Sequence, residues 1–514
     1  MAEGKSLDGK PCAGKPHVRF GEGEVAPAAT PGRGSPLYIR RRTFLGAGAA
    51  AIGSAAFGDV DACVGRGRLL RFGVASDVHV SDVPGRAPEQ LLFLEKTLRW
   101  FDRQGVEAVV FPGDLIDTGL ISEYEKVAAV WNKVFPSGRG SDGRPVEHVI
   151  VTGNHEIAVW PGRWKGVSEE EQQRIRFDRH ADETMRRLFG EPYEPVFMRT
   201  IKGVAFVGAQ YHTSHPPVAA FLAAHAGEIP PDRPFFYVQH AHPQQTCYGD
   251  EAREAWDGGL AVKALSRFPM AVALTGHSHN PLTDGRSVWQ GMFTSIGCGS
   301  LLGAGSLYHN YDNSLAGYFK EYAAHRMARV HGTAEYNAGR GCLLIDVFHD
   351  RIACKRWSPF FDEDLGPDWV VPMPASQDGP FKFTGRSTAG KSLMFAESAK
   401  VSARICENAP QKIGPRLKGR QCVSVRFPAA VGNGGNRVFG YDVSAAVDEK
   451  EIVRSRILST GHGLPPSRLA GLEEECLFGR DELPSGAKVA FTVIPHDCYG
   501  TIGESIISGS VELT

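Results

Sequence analysis

Five short apolar runs, each stopping on Asp, Asn or His, constrain this chain more than any other feature of its sequence. Arg71-Phe72-Gly73-Val74-Ala75-Ser76 stops at Asp77-Val78-His79, and Ala108-Val109-Val110-Phe111 stops at Gly113-Asp114-Leu115-Ile116-Asp117. His148-Val149-Ile150-Val151 stops at Gly153-Asn154-His155-Glu156. Phe235-Phe236-Tyr237-Val238 runs to His240, and Ala271-Val272-Ala273-Leu274 to Gly276-His277-Ser278-His279. Between the first runs, Leu91, Leu92, Leu94, Leu98 and Phe101, and then Val127, Val130, Trp131 and Val134, recur at helical spacing with charges between them. Unbroken apolar runs alternating with helices describe a sheet buried on both faces. Ligands of such sheets bind at the carboxyl ends of the strands, which is where all five runs place their polar residues.

Asp77, His79, Asp114, Asn154, His240, His277 and His279 offer oxygen and imidazole donors and no thiolate. That donor set suits Fe, Mn, Zn or Co better than Ca or Mg. Seven side chains are too many for one ion with open positions and about right for two ions sharing a carboxylate. In Asp-x-His and His-x-His on an extended segment, residues i and i+2 point to one side and can reach one site. Gly113, Gly153 and Gly276 are expected to let the backbone turn sharply where strand becomes loop.

The ordered set Asp-x-His, Gly-Asp-x-x-Asp, Gly-Asn-His-Glu, His and Gly-His-x-His resembles the calcineurin-like metallophosphoesterase superfamily, over residues 69–360. The resemblance implies a four-layer α/β/β/α sandwich and two divalent or trivalent metal ions. It implies Asp77, His79 and His279 on the first ion, Asp114 bridging, and Asn154, His240 and His277 on the second. His155 would act as general acid or stabilise the transition state. Two such ions lower the pKa of a bridging water, whose hydroxide attacks phosphorus in line. The fourth motif, Gln239-His240-Ala241-His242-Pro243, offers two histidines; His240 is preferred because it follows the strand directly. Asp117 reads as a support behind the ligands. Asp117-Thr118-Gly119 lacks the Arg that follows this Asp in the protein Ser/Thr phosphatase branch, which argues against a phosphoprotein substrate. Glu156 stands where many relatives carry Asp, and no role is read from it.

More than eighty residues separate Glu156 from His240. Trp160, in Trp160-Pro161-Gly162-Arg163-Trp164, and Tyr211 and His212, at the end of the run Val204–Gly208, are candidate substrate contacts. Surface packing is the plainer account of all three. Arg174 to Phe189 is expected to be one capping helix.

The amino-terminal residues 1–62 read as a disordered leader with an export signal. Arg40-Arg41-Arg42-Thr43-Phe44-Leu45 opens an uncharged stretch of 14 residues, Phe44 to Phe57, with small residues after it. The Arg-Arg-x-Phe-Leu core resembles twin-arginine signals and implies a periplasmic or extracellular enzyme. Val60-Asp61-Ala62-Cys63 is a poor match to a lipid-attachment box because of Asp61. Residues 1–58 carry eight Lys/Arg and four Asp/Glu, so a chain of net charge −1 becomes −5 without them. A mildly acidic protein without Lys/Arg runs is not expected to bind long nucleic acid. No uncharged apolar run reaches the roughly 18 residues of a membrane helix. Of the 10 Cys, nine follow residue 58, and no pair forms Cys-x-x-Cys; free buried thiols are the simpler reading.

The expected domains are therefore a phosphoesterase domain over 66–360, a Pro- and Asp-rich linker over 361–384 and a β domain over 385–514. Val423–Phe427, Arg437–Val443 and Lys488–Pro495 alternate polar and apolar residues between turns, as an antiparallel sandwich does. The domain resembles the fibronectin- or immunoglobulin-like modules of secreted hydrolases. Together these features suggest an exported phosphohydrolase acting on a small-molecule phosphate mono- or diester. The rivals are a metal-binding scaffold that acts through its β domain and a nuclease of the same superfamily.

Overall fold

The computed structural model describes residues 67–512, apart from 83–86, 158–166, 212–217, 249–258, 304–338, 378, 380, 382–391, 407–420 and 434–435. The leader, the twin-arginine motif, Cys63, Trp160 and His212 lie outside the described residues. The described residues all belong to one unit, Gly65–Thr514.

The apolar runs are strands, and they fall into two sheets. In chain order the strands are β1 (Leu70–Val74), β2 (Ala108–Pro112), β3 (Glu147–Val151), β4 (Val196–Ile201), β5 (Val204–Ala209), β6 (Phe235–Val238) and β7 (Ala271–Thr275). They continue with β8 (Val288–Gln290), β9 (Thr294–Gly297), β10 (Cys342–Val347), β11 (Arg351–Ser358), β12 (Glu363–Asp364) and β13 (Trp369–Pro372). The first sheet runs β12-β11-β10-β1-β2-β3 with β13 beside β11, and the second runs β4-β5-β6-β7-β9-β8. The strands that lead to ligands are parallel: β1 to β2, β2 to β3, and β6 to β7.

Strand residues alternate between two apolar layers. Phe72, Val74, Val110 and Val151 of the first sheet meet Phe206, Phe236, Val272 and Leu274 of the second in a core between the sheets. The opposite face of the first sheet is covered by α1 (Ala87–Arg103) and α2 (Ile121–Val134) through Leu94, Leu98, Phe101, Val127 and Trp131. The outer face of the second sheet carries helices Val218–Ala224 and Leu260–Leu265 through Leu222 and Leu265. The four layers α/β/β/α expected from the sequence are present. Leu92, grouped with the core leucines by its spacing, is 62% exposed.

Two expectations are corrected. The segment 174–189 is not one helix: Glu169–Ile175 ends at Arg176, a 3₁₀ turn takes Phe177–Arg179, and a second helix spans Ala181–Phe189. The break turns Phe177 inward, where it is buried with its ring 4.5 Å from that of Tyr124. Residues 361–384 are not merely a linker, because they supply β12 and β13. Trp369 and Val371 join the core between the sheets, and the Arg356 guanidinium lies 4.4 Å over the Trp369 ring.

Beyond residue 392 the described chain is all β. After the short strand β14 (Leu393–Met394), β15 (Ser402–Cys406), β16 (Cys422–Pro428), β17 (Val431–Gly432), β18 (Gly440–Val447), β19 (Lys450–Leu458), β20 (Glu473–Gly479), β21 (Lys488–His496), β22 (Ile506–Ile507) and β23 (Val511–Glu512) follow. Sheets β15-β16-β20 and β19-β18-β21-β22 share a core of Val423, Val425, Phe427, Tyr441, Val443, Phe491 and Val493. This region joins the two-sheet stack through a polar seam. The Thr283 hydroxyl donates to the His462 carbonyl, and Arg286 is held by Asp284 at 2.7 Å with its guanidinium 4.8 Å from the Phe439 ring centre. Arg468 pairs with Glu363 of β12 at 2.7 Å. Among the described residues no helix is long and apolar enough to cross a membrane.

Phe72 is fully buried between the sheets, with ring centres 5.3 Å from Phe206 and 4.8 Å from Phe236. Phe72→Ala is expected to cost about 3–5 kcal/mol of unfolding free energy. Urea unfolding followed by circular dichroism checks this, and a loss below about 1 kcal/mol would contradict the two-sheet core.

Candidate metal centre

The ligand loops are held in register by backbone pairing that outlasts the strands. Beyond β1 and β2, the Asp77 N–H donates to the Gly113 carbonyl at 3.1 Å, the His79 N–H to the Asp114 carbonyl at 3.0 Å, and the Val80 N–H to the Leu115 carbonyl at 2.9 Å. Asp77, His79 and Asp114 are thereby set side by side. They do not lie on extended backbone, as the i, i+2 argument assumed. Asp77 (φ 52°), His79 (φ 55°), Asp114 (φ 51°), His277 (φ 68°) and His279 (φ 53°) are all left-handed. Asp and His tolerate this region better than most residues, but such conformers still cost free energy and persist where the surroundings enforce them.

The glycines divide by role. Gly113 has φ +96°, which satisfies the expected turn. Gly153 and Gly276 are not at positive φ. A Cβ on Gly153 would run into the Asp114 carboxylate, and one on Gly276 into Ser76 and the Asp77 carboxylate. These two positions therefore require close approach, not unusual torsion.

The seven expected ligand residues converge. Ligand atoms of Asp77, His79, Asp114 and His279 form one cluster within 4.8 Å, and those of Asp114, His240 and His277 form another. In the first, His279 Nε2 is 3.0 Å from Asp77 Oδ1 and 3.1 Å from His79 Nε2. In the second, His240 Nε2 is 3.1 Å from Asp114 Oδ2, and the Asn154 Oδ1 atom lies 3.1 Å from His240 Nε2 and 3.0 Å from His277 Nδ1. Asp114 belongs to both. His242 does not take part: it is buried, with its ring nitrogens bonded to Thr275 Oγ1 at 2.6 Å and Ser278 Oγ at 2.9 Å.

Supporting groups aim the rings. His240 Nδ1–H donates to the Pro112 carbonyl at 2.8 Å, so its Nε2 faces the cluster. His79 Nδ1 bonds the Asp117 carboxylate at 3.2 Å, and Asp117 also forms a third group of possible ligand atoms with His79 and His155. His155 donates its backbone N–H to Asp114 Oδ1 at 2.9 Å and its Nδ1–H to the Asp117 carbonyl at 2.9 Å. Its Nε2 then sits 3.9 Å from Asp114 Oδ2.

The electrostatics call for a cation. Asp77 and Asp114 are 0% and 1% exposed, and among the described residues no Lys or Arg pairs with either. Burial lowers the His79 imidazole to about 4, helped by charge on His155. Burial works the same way on His240, but the Asp114 and Asp77 carboxylates override it and push the ring up to about 10. Oxygen and imidazole donors, with Asp114 shared between the Asp77/His79/His279 and the His240/His277 groups, fit a pair of metal ions.

Glu156 is the residue whose role the sequence left unread. Its buried carboxylate accepts the backbone N–H groups of Asp114 (3.1 Å), Leu115 (2.7 Å), Ile116 (3.3 Å) and Gly153 (2.6 Å), tying the β2 loop to the β3 loop. Burial and the neighbouring Asp114 charge push its carboxyl up to about 7. The signal was a carboxylate directly after two site residues, just past the end of a buried strand. Glu123 does similar work from α2, accepting from Thr118 Oγ1 (2.6 Å) and the Asp82 N–H (3.0 Å). Of the expected substrate contacts, Tyr211 is half-buried, its N–H bonded to the Thr152 carbonyl at 3.2 Å and its ring centre 6.2 Å from that of His240.

Residues 70–281, which contain all seven ligand candidates and His155, match the model of the calcineurin-like phosphoesterase family. The match covers under half of the chain. No curated protein matches the sequence. Among solved structures, a dimetal phosphatase from Danio rerio is 13% identical, with 60% of this chain and 99% of that one covered and a TM-score of 0.34. A purple acid phosphatase from yellow lupin (Lupinus luteus) seeds is also 13% identical, with 59% and 53% covered and a TM-score of 0.37. At such scores neither bears on the substrate.

Removing the Glu156 carboxylate would strand its buried N–H partners. Glu156→Ala is expected to lower stability by several kcal/mol, at about 1–3 kcal/mol per orphaned donor. Thermal melts in the presence of a chelator isolate this effect from metal binding. An unchanged midpoint would show that the two loops hold each other without the clamp.

Proposed function

We propose that this protein is an exported, dinuclear metal-dependent phosphohydrolase that cleaves a small-molecule phosphate mono- or diester. The observation that carries the reading is the pair of ligand clusters sharing Asp114, with His155 backed against the shared carboxylate. Asp77, His79 and His279 would hold one ion, and Asn154, His240 and His277 the other, with Asp114 between them. The ions, among Fe, Mn, Zn or Co, would supply an activated water and charge neutralisation at phosphorus. His155 is positioned by Asp117 and presents Nε2 toward the cluster, where it donates a proton to the departing oxygen. The Tyr211 ring, whose centre is 6.2 Å from that of His240, would contact the organic part of the ester.

Export rests on the Arg40-Arg41-Arg42-Thr43-Phe44-Leu45 motif and the apolar stretch behind it. The −5 charge without the leader and the lack of basic runs favour a small substrate over nucleic acid. The two facing sheets beyond residue 392 support an appended module of the fibronectin or immunoglobulin kind.

A panel of aryl phosphate mono- and diesters assayed with Mn, Zn, Fe and Co tests the reading. Turnover with at least one ion is expected, and tight metal binding without turnover on any ester would favour the scaffold instead. His155→Ala should lower kcat by about 10²–10⁴-fold with both metals retained. Asp114→Asn should lose turnover and metal occupancy together; two metals per chain at an undiminished rate would remove Asp114 from the centre.

A further inference from the structure

The carboxy-terminal sheets hold a cysteine pair that core packing does not explain. Cys298, Cys342, Cys354 and Cys476 are buried within the apolar clusters and act there as small hydrophobes. Cys406 and Cys422 are placed differently. They are register partners across the antiparallel ladder between β15 and β16, and no other two described cysteines face each other in a ladder. Side chains alternate along a strand. Val423, Val425 and Phe427 of β16, with Ala403 and Ile405 of β15, pack on the core side. Cys406 and Cys422 therefore stand on the opposite face, in line with Ser402, Arg404, Ser424 and Arg426. That face is polar: Ser424 Oγ donates to the Glu475 carboxylate at 2.5 Å and Arg426 pairs with it at 3.0 Å.

Directly opposed residues in antiparallel strands have Cα atoms about 4.5–5.5 Å apart, inside the roughly 4.4–6.8 Å range of disulfides. The two thiols already interact: burial, and then the Cys406 sulfur beside it, push the Cys422 thiol up to about 11. Cys406 is half-buried and Cys422 buried, so an outside reagent meets Cys406 first.

We propose that Cys406 and Cys422 form a redox-responsive disulfide that staples β15 to the β domain. The oxidant is a disulfide-bearing molecule, a small disulfide or a disulfide oxidoreductase. The Cys406 thiolate attacks one of its sulfurs, breaking that S–S bond and releasing one external thiol. The Cys422 thiolate then attacks the Cys406 sulfur of the mixed disulfide, releasing the second. Cys406 and Cys422 lose two protons and two electrons in all, which reduce the external disulfide to two thiols. The staple acts on an edge: among the described strands β15 is hydrogen-bonded only to β16, and edge strands are where a sheet frays or recruits another chain. The inference does not depend on the phosphohydrolase reading.

The test is equilibration of the full chain in a reduced-to-oxidised glutathione series, alkylation, proteolysis and mass spectrometry, with thermal melts at both ends. Peptides containing Cys406 and Cys422 are expected to be joined at the oxidised end and separately alkylated at the reduced end. The oxidised melting midpoint should be several degrees higher, a shift absent from Cys406→Ser and Cys422→Ser. Both residues alkylated at the oxidised end, or Cys422 joined to another cysteine, would overturn the proposal. A joined pair with no shift in midpoint would overturn the stapling role. Peptide mapping of the unmutated chain decides the pairing even where a serine variant does not fold.

Discussion

Placing two carboxylates together in a dry interior is the constraint on which this site depends. Asp77 and Asp114 sit within one cluster, both essentially unexposed. A buried carboxylate is tolerated only where hydrogen bonds and positive charge surround it. Much of the surrounding architecture supplies them. The His277 N–H donates to Asp77 and the His155 N–H to Asp114. Imidazoles from both sheets complete the shell, so the two-sheet stack is what brings the halves of the site together. The left-handed ligands and the two close-packed glycines follow from the same demand, because only a tight backbone can aim so many amides and rings at one point.

The sequence made the fold legible where residue type and period coincide. Unbroken apolar runs such as Ala108–Phe111 can hardly be anything but doubly buried strands, and polar residues at their ends mark one edge of a sheet. His240 was separable from His242 by its distance from the strand end, and the structure keeps them apart for that reason: His242 has passed the ligand edge and folded back onto Thr275.

What stayed hidden depends on contacts between distant parts of the chain. The Asp-x-His spacing fits either extended or left-handed backbone, and only pairing with the β2 loop selects the second. The clamp by Glu156 needs the β2 loop, some forty residues earlier in the chain, to be visible. The helix expected over 174–189 fails because Phe177 finds an aromatic pocket at Tyr124. The stretch 361–384 looked like a linker by composition, yet Trp369 and Val371 find the core. In each case tertiary burial overruled a local signal.

Thr283 lies four residues past His279, and its hydroxyl is bonded to a carbonyl of the all-β region. The segment leaving the metal centre is thus packed against the part of the chain that sequence composition sets off as a separate module. Asp284 and Arg286, buried at that seam, would face water if the all-β region were cut away. Recombination that exchanged the β region for another of similar outline would also have to supply a carbonyl for Thr283 and an aromatic face for Arg286. The seam limits what the two-sheet stack can be joined to.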